Sequence, residues 1–177
     1  MILMNYRMYL KKTALLFSFV VLLGACFTLR YDMKGGADID AKIKTVSVQY
    51  FNNRASLVEP TLSQKFTDEL KQYMEGNTKL RLVNTIGDVD FSGEITEYKI
   101  TPMAISAGDQ AAQTRFTISI RVKYNNSINP DESFDTSFSR YRDFDSSQDF
   151  NSVAPGFSEE IIDEIIEQIF NKAFVNW

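Results

Sequence analysis

Four carboxylates crowd one short stretch, D-V-D-F-S-G-E-I-T-E, in which Asp88, Asp90, Glu94 and Glu97 fall within ten residues. Paired carboxylates in differing environments are the machinery of glycoside hydrolysis. Here the alternation with Val89, Phe91 and Ile95 makes most of them the solvent side of a strand, the simpler reading. Asp143, Asp145 and Asp149 lack the spacing and glycine of a calcium loop; they read as a strand end and a turn cap. The chain has no histidine, so the commonest general base and metal ligand is missing. Its single cysteine, Cys26, excludes an intrachain disulfide and a multi-cysteine zinc site. No nucleophile elbow, P-loop or dinucleotide-binding glycine fingerprint is present. What remains is a basic row, Arg115, Arg121 and Lys123, on one face of a strand, with Arg140 and Arg142 nearby. It reads either as a solvated sheet face or as an anion site, since guanidinium forks pair with phosphates bidentately. This inventory fits a binding or scaffolding domain without a cofactor, not an enzyme.

The elements that would position these residues follow from periodicity. Lys44–Tyr50 alternates as a half-buried strand, with Val46, Val48 and Tyr50 on one face. Pro60 suits a helix start; Leu62, Phe66, Leu70, Tyr73 and Met74 follow at helical spacing, and Gly76 suits the helix end. Residues 80–83 could form a short edge strand. A strand from Val89 runs toward Pro102, and Gly93 marks a bulge or a close approach. Residues 103–113 read as a loop. Arg115–Tyr124 is the clearest strand, with Phe116, Ile118, Ile120, Val122 and Tyr124 facing inward. After a turn at 125–132, Ser133–Phe144 is a fourth main strand. There Arg140 and Arg142 share the parity of Phe134 and Phe138, so a bend near residue 139 or a bulge is expected. Ser158 could cap a last helix, with Ile161, Ile162, Ile165, Ile166, Ile169, Phe170, Ala173 and Phe174 as its apolar stripe. The expected fold class is α+β: a two-layer sandwich of a mostly antiparallel sheet of about four main strands, in the order β-α-β-β-β-α, with two helices on one face.

The start of the chain has a different character. Residues 1–12 carry Arg7, Lys11 and Lys12, and Thr13 to Ala25 is an apolar run of thirteen, well short of the roughly 20 residues a spanning helix needs. Basic start, short apolar core and small residues before a boundary make up a secretory signal. The run ends L-G-A-C, Leu23 to Cys26, which resembles the lipobox of bacterial lipoproteins. The alternative is a buried free cysteine in an N-terminal helix. The resemblance implies cleavage after residue 25, a diacylglycerol on the Cys26 thiol and an N-acyl chain on its new amine. Several acyl chains would anchor the domain stably without a spanning helix. Phe27, where an aspartate often signals inner-membrane retention in such lipoproteins, implies the outer membrane; with no acidic run following, the periplasmic face is expected. Domain boundaries are then 1–25 signal peptide, 26–41 lipidated tether and 42–177 a single domain. Without the three cations of residues 1–25, sixteen basic residues face twenty-three acidic ones, a net of −7, which argues against nucleic acid as a general partner.

Behind the lipobox, V-S-V-Q-Y-F-N-N-R-A-S-L-V-E-P-T-L-S-Q-K-F-T, F-S-G-E-I-T-E-Y, F-S-R-Y-R-D-F-D-S-S-Q and the ending I-F-N-K-A-F-V-N-W resemble the LPS-assembly lipoprotein family, LptE. The resemblance implies a lipid-anchored outer-membrane subunit that plugs and helps assemble a large β-barrel partner, LptD, during lipopolysaccharide transport. It also implies contact with lipopolysaccharide through basic residues in loops at one end of the sheet. This sequence departs there: residues 103–113 and 145–151 contain no lysine or arginine. The expected anion-binding residues are therefore Arg115, Arg121, Lys123, Arg140 and Arg142. The other function class in play is a free-standing periplasmic lipoprotein that binds a small ligand or envelope polymer.

Overall fold

In the computed structural model the described residues are 39–57, 59–103 and 112–175. The expected signal peptide, Cys26 and most of the expected tether lie outside them. Among the described residues six strands and two α-helices follow one another as β1 (Thr45–Val48), β2 (Asn52–Asn53), α1 (Leu62–Asn77), β3 (Arg81–Leu82), β4 (Val89–Pro102), β5 (Gln113–Asn126), β6 (Phe134–Asp145) and α2 (Phe150–Phe174). The sheet order is β3-β1-β4-β5-β6, with β2 also paired to β4. The two-layer α+β reading holds, but the sheet is mixed. β1 runs parallel to both β3 and β4, and β2 parallel to β4, while β4, β5 and β6 form an antiparallel meander.

The expected strand 44–50 is broken because the chain kinks after Val48. Tyr50 turns out to solvent at 52% exposure while Phe51 is fully buried. The Phe51 N–H then donates to Thr67 Oγ1 at 3.2 Å, and that hydroxyl donates to the Ser63 carbonyl at 2.7 Å. This polar joint fastens β2 to α1. The β3–β4 connection is short and crosses the outer face of β1: the Gly87 N–H donates to Ser47 Oγ at 3.0 Å, and a Cβ at Gly87 would stand 3.1 Å from the backbone of Thr45 and Ser47.

On β4 the bulge falls between Ile95 and Glu97, not at Gly93. Gly93 instead marks a close approach: a Cβ there would lie 2.0 Å from the Arg121 carbonyl oxygen and 2.7 Å from the Phe51 ring. The bulge exchanges parity, so Phe91 and Ile95 before it and Tyr98 after it all face the helices and are buried.

Both helices differ from expectation at their ends. α1 passes through Gly76 to Asn77, because the Thr78 N–H and hydroxyl both donate to the Met74 carbonyl, at 3.0 and 2.7 Å, and close the last turn there. At its start Pro60 precedes the helix, and the Thr61 N–H and hydroxyl donate to the Glu59 carboxylate. α2 begins at Phe150, eight residues before the expected cap Ser158. Asp149 caps it, accepting from the Asn151 N–H at 3.4 Å. Pro155 sits inside the helix, where its missing N–H leaves the Asn151 carbonyl without its helical donor. The isoleucine stripe of α2 is buried as its spacing requires, from Ile161 to Phe174. It packs with Phe66, Leu70 and Met74 of α1 and with the inner faces of β1, β4 and β5 as one core.

The two ends of this domain differ. The base carries the point where the described chain begins (Ile39), the starts of β1 and β4, the end of β5 and the C-termini of both helices. The tip carries the N-termini of both helices, the end of β4 and the start of β5. Among the described residues no helix is long and apolar enough to cross a membrane.

Candidate functional site

The structure divides the basic row between two faces. Arg115, Arg121 and Lys123 lie on the outer face of β5, opposite the helices. Arg115 is directly across from Asp143 and grips it bidentately, Nε at 2.7 Å and Nη2 at 2.8 Å, with its guanidinium 3.6 Å from the Tyr141 ring centroid. Arg121 reaches diagonally to Asp135 in the same fork, at 2.8 and 2.9 Å. The guanidinium hydrogen bonds hold both carboxyls below the usual carboxylate range. Lys123 is directly opposite Asp135 but forms no ion pair among the described residues.

Arg140 and Arg142 go elsewhere. β6 pairs with β5 without a register shift from Phe134 to Asp145, so neither the expected bend nor a bulge exists. Residues directly opposite share a face; Arg142 faces Phe116 and Arg140 faces Ile118, which places both on the helix side. They are tolerated because β6 is the sheet's edge and their stems run along apolar surface to charged heads at its margin. There Arg142 donates to Glu160 at 2.8 Å and to Glu164 at 2.5 Å, and Arg140 stands 3.5 Å from Glu164. The Glu164 carboxyl is held low chiefly by the Arg142 hydrogen bond. These arginines clasp α2 onto the sheet edge. The sequence hinted at this in the i, i+4 spacing of Glu160 and Glu164, but only the register shows that β6 presents two cations to them.

The crowded carboxylates do not converge. Asp88 accepts from the Lys44 and Thr45 N–H groups, both at 2.9 Å, and from the Thr45 hydroxyl at 2.8 Å; these bonds lower its pKa, the Lys44 N–H foremost. It is a brace for the start of β1. Asp90 accepts from Ser47 and Gln49, Glu94 lies 3.9 Å from Arg54, and Glu97 accepts from Ser119. Among the described residues no group of three His, Cys, Asp or Glu side chains is placed to hold a metal ion.

Sequence reasoning missed one cavity. At the tip, α2 extends beyond the start of α1, and the step between them opens a cleft of about 400 Å³ over Tyr98, with apolar walls from Leu57, Leu62, Phe150 and Ala154 and a polar rim that includes Glu59, Lys65, Asn151 and Glu159. Burial pushes up the Tyr98 phenol pKa. The signal was present in Phe150, Val153 and Phe157, which lead at helical spacing into Ile161, but Pro155-Gly156 obscured it.

The described residues thus present an outer sheet face whose arginines are paired with carboxylates. The family model for lipopolysaccharide assembly, LptE, matches residues 43–173. The chain belongs to the LptE family. It is thus a lipopolysaccharide-assembly protein by family, and the match covers nearly all of the described domain. Comparison with curated proteins finds no match. Among solved structures, a minor lipoprotein of Acinetobacter baumannii is 14% identical over 74% of this chain and 92% of its own, with a TM-score of 0.49. The rare lipoprotein B of Shewanella oneidensis is 7% identical over 73% and 90%, with a TM-score of 0.42. The LptE assignment rests on the family model alone.

Proposed function

We propose that this LptE-family chain is a lipid-anchored subunit at the periplasmic face of the outer membrane that plugs and helps assemble an LptD-type β-barrel for lipopolysaccharide transport. The observation that carries the reading is the family match over 43–173, behind a sequence whose Leu23–Cys26 stretch reads as a lipobox. Cys26 is the attachment point for diacylglycerol and N-acyl chains, and the domain acts by binding, without catalysis or a further cofactor. The paired sheet face supports this role, since a plug must hold its shape inside its partner.

Lipopolysaccharide contact follows a narrower path than the five cations suggest. Each of the four arginines is already held by a carboxylate, so a phosphate must compete with a neighbour at contact distance. Lys123 is the member of the row open to an anion. Purification of the native protein from detergent-solubilised outer membranes tests the main reading: a large barrel protein should accompany it, and depletion should stop barrel assembly. A protein that purifies alone, with barrel assembly undisturbed on depletion, refutes it. The tip cleft favours a second reading, a free-standing periplasmic lipoprotein that binds a small ligand or envelope polymer; a monomer that retains such a ligand through purification would establish it.

A further inference from the structure

Past Ile95, β4 has a strand partner on one side only. β1 and β2 run beside it as far as Phe91 and Ile95, while β5 continues along its other side to Pro102. The ladder shows which backbone groups this leaves open. The Thr96 hydroxyl donates to the Ser119 carbonyl at 3.1 Å and the Met103 N–H to the Gln113 carbonyl at 2.9 Å, so the odd-numbered residues of β5 turn their backbone groups toward β4. Their partners beyond the bulge are Glu97, Lys99 and Thr101. Successive residues of a strand turn these groups to opposite sides, so Tyr98 and Ile100 present N–H and C=O to the open edge. Among the described residues none of those four groups has a hydrogen-bond partner. Pro102, next in phase, has no N–H to offer. The open stretch is therefore short, with the bulge at one end and a proline at the other.

A second cavity flanks that edge. Ser56, Leu57, Thr96, Lys99 and Ile100 line about 340 Å³ beside β4, and this space meets the tip cleft at Leu57 and Tyr98, which line both. The floor is fixed, for the Tyr98 ring stands edge-on to Phe116 at 4.8 Å and to Phe150 at 6.2 Å. Ile100 faces the helix layer, opposite Phe116, yet is 36% exposed, and Leu57 across the cavity is 44% exposed. Open backbone groups and apolar surface thus share one site.

Hydrogen-bond and charge complementarity select the occupant. Donors and acceptors at strand spacing match the backbone of an extended polypeptide; an acyl chain has no such row. The charged groups lining the two cavities are Glu59, Glu97 and Glu159 against Lys65 and Lys99. Lys99 stands 3.8 Å from Glu97, and Lys65 is shared between Glu69 and Glu159 at 3.8 and 3.7 Å. Carboxylate is in excess and both lysines are engaged, which disfavours an anionic headgroup and favours a partner with cations beside its apolar residues.

We propose that the β4 edge at Tyr98 and Ile100 is a β-augmentation site for an extended segment of another protein, one with alternate apolar residues flanked by basic ones. The added strand runs about 4.8 Å from β4. Residues opposite one another share a face, so those opposite Tyr98 and Ile100 project to the helix side, toward the cleft between Leu57, Leu62 and Phe150. The residue between them lies on the outer face beside the Glu97–Lys99 pair. Main-chain bonds supply affinity and the cleft supplies selectivity. The site does not depend on the barrel reading, since any partner with such a segment can supply the strand.

The test uses the native full-length protein purified in detergent and an end-blocked, fluorescein-labelled peptide, Lys-Ile-Thr-Ile-Lys, read by anisotropy against protein-free micelles. Saturable binding is expected, about ten-fold weaker when glutamates replace both lysines or threonines replace both isoleucines. Two N-methylated peptides separate strand pairing from side-chain capture: one carries methyls on both isoleucine nitrogens, the other on the threonine nitrogen. Only the phase whose N–H groups turn toward β4 should lose binding, by about ten-fold. Ile100→Pro, which removes an open N–H and no ladder bond, should weaken the parent peptide several-fold. Should that variant unfold, as far-ultraviolet circular dichroism would show, the methylated pair decides alone. No saturable binding up to millimolar peptide, or binding that treats the two methylated forms alike, overturns the proposal. Tighter binding of the glutamate peptide overturns the basic-partner assignment. A native dimer in sedimentation that Ile100→Pro converts to a monomer assigns this edge to a second copy of the chain instead.

Discussion

Gly93→Ala is the substitution whose effect the structure fixes most tightly. The added Cβ would meet the Arg121 carbonyl oxygen at 2.0 Å and Phe51 Cε1 at 2.7 Å, where real Cβ contacts essentially never fall below 3.0 Å. Neither neighbour can yield cheaply. The Arg121 carbonyl belongs to β5 at the point where Gly93 pairs with Val122. The Phe51 ring is fully buried and stands edge-on against Phe66 at 4.9 Å. Relief requires β4 and β5 to part by about 1 Å in mid-ladder. Overpacking of this kind costs about 1–3 kcal/mol, and weakening one or two ladder hydrogen bonds adds about 1 kcal/mol each. A loss of about 2–5 kcal/mol is expected, against a typical domain stability of about 5–15 kcal/mol. Urea unfolding followed by far-ultraviolet circular dichroism should show a lower midpoint at an unchanged slope, and thermal melts a drop of about 10–20 °C. Thr117→Ala, on the outer face of β5, serves as control and should change stability by less than about 0.5 kcal/mol. A Gly93→Ala protein as stable as that control would refute the close packing of β2 and β5 around this residue.

Ile165→Ala removes a fully buried side chain from the centre of α2 and should cost about 2–5 kcal/mol in the same unfolding assay. Asp149→Ala should cost about 1 kcal/mol, seen in hydrogen exchange as faster opening of residues 150–154 with the isoleucine turns still protected. The carboxyls of Asp88, Asp135, Asp143 and Glu164 all have depressed folded pKa values. Their stabilisation is complete above the unfolded carboxyl pKa of about 4 and is lost as pH falls through the lower folded values. Asp88→Asn should therefore flatten the acid limb of a stability–pH curve below about pH 4, while an unaltered limb would show that Asp88 does not brace β1. Arg142→Ala leaves Glu160 and Glu164 unclasped and should raise the Glu164 pKa, which carboxyl-resolved NMR titration reads directly.

Much of this domain was legible in one dimension. The strict alternation of Arg115–Tyr124 gave β5 its inner face, and the four-residue steps from Ile161 to Phe174 gave α2 its buried stripe, because both periods are local properties of the backbone. What misled were places where a distant contact overrode a local sign. Pro155-Gly156 looks like a break, yet α2 runs through it because Phe150 and Val153 pack on the core. Gly76 looks like a helix end, yet the two Thr78 bonds close the turn later. Arg140 and Arg142 look wrong for an inward parity, and only their reach to Glu160 and Glu164 explains them.

The candidate site divides the same way. From sequence alone come the family phrases, the absence of histidine, the acidic balance and the residue types of the basic row, since these need no partner to be read. Tertiary structure alone decided that β1 lies parallel between β3 and β4, that four of the five row cations are spent on carboxylates, and that the β4 edge stays open at Tyr98 and Ile100. The reason is physical. A charge has its effect through what stands within a few ångströms of it, and the partners here lie 14 to 44 residues away along the chain, as Arg121 from Asp135 and Lys44 from Asp88, brought together only by strand order and register.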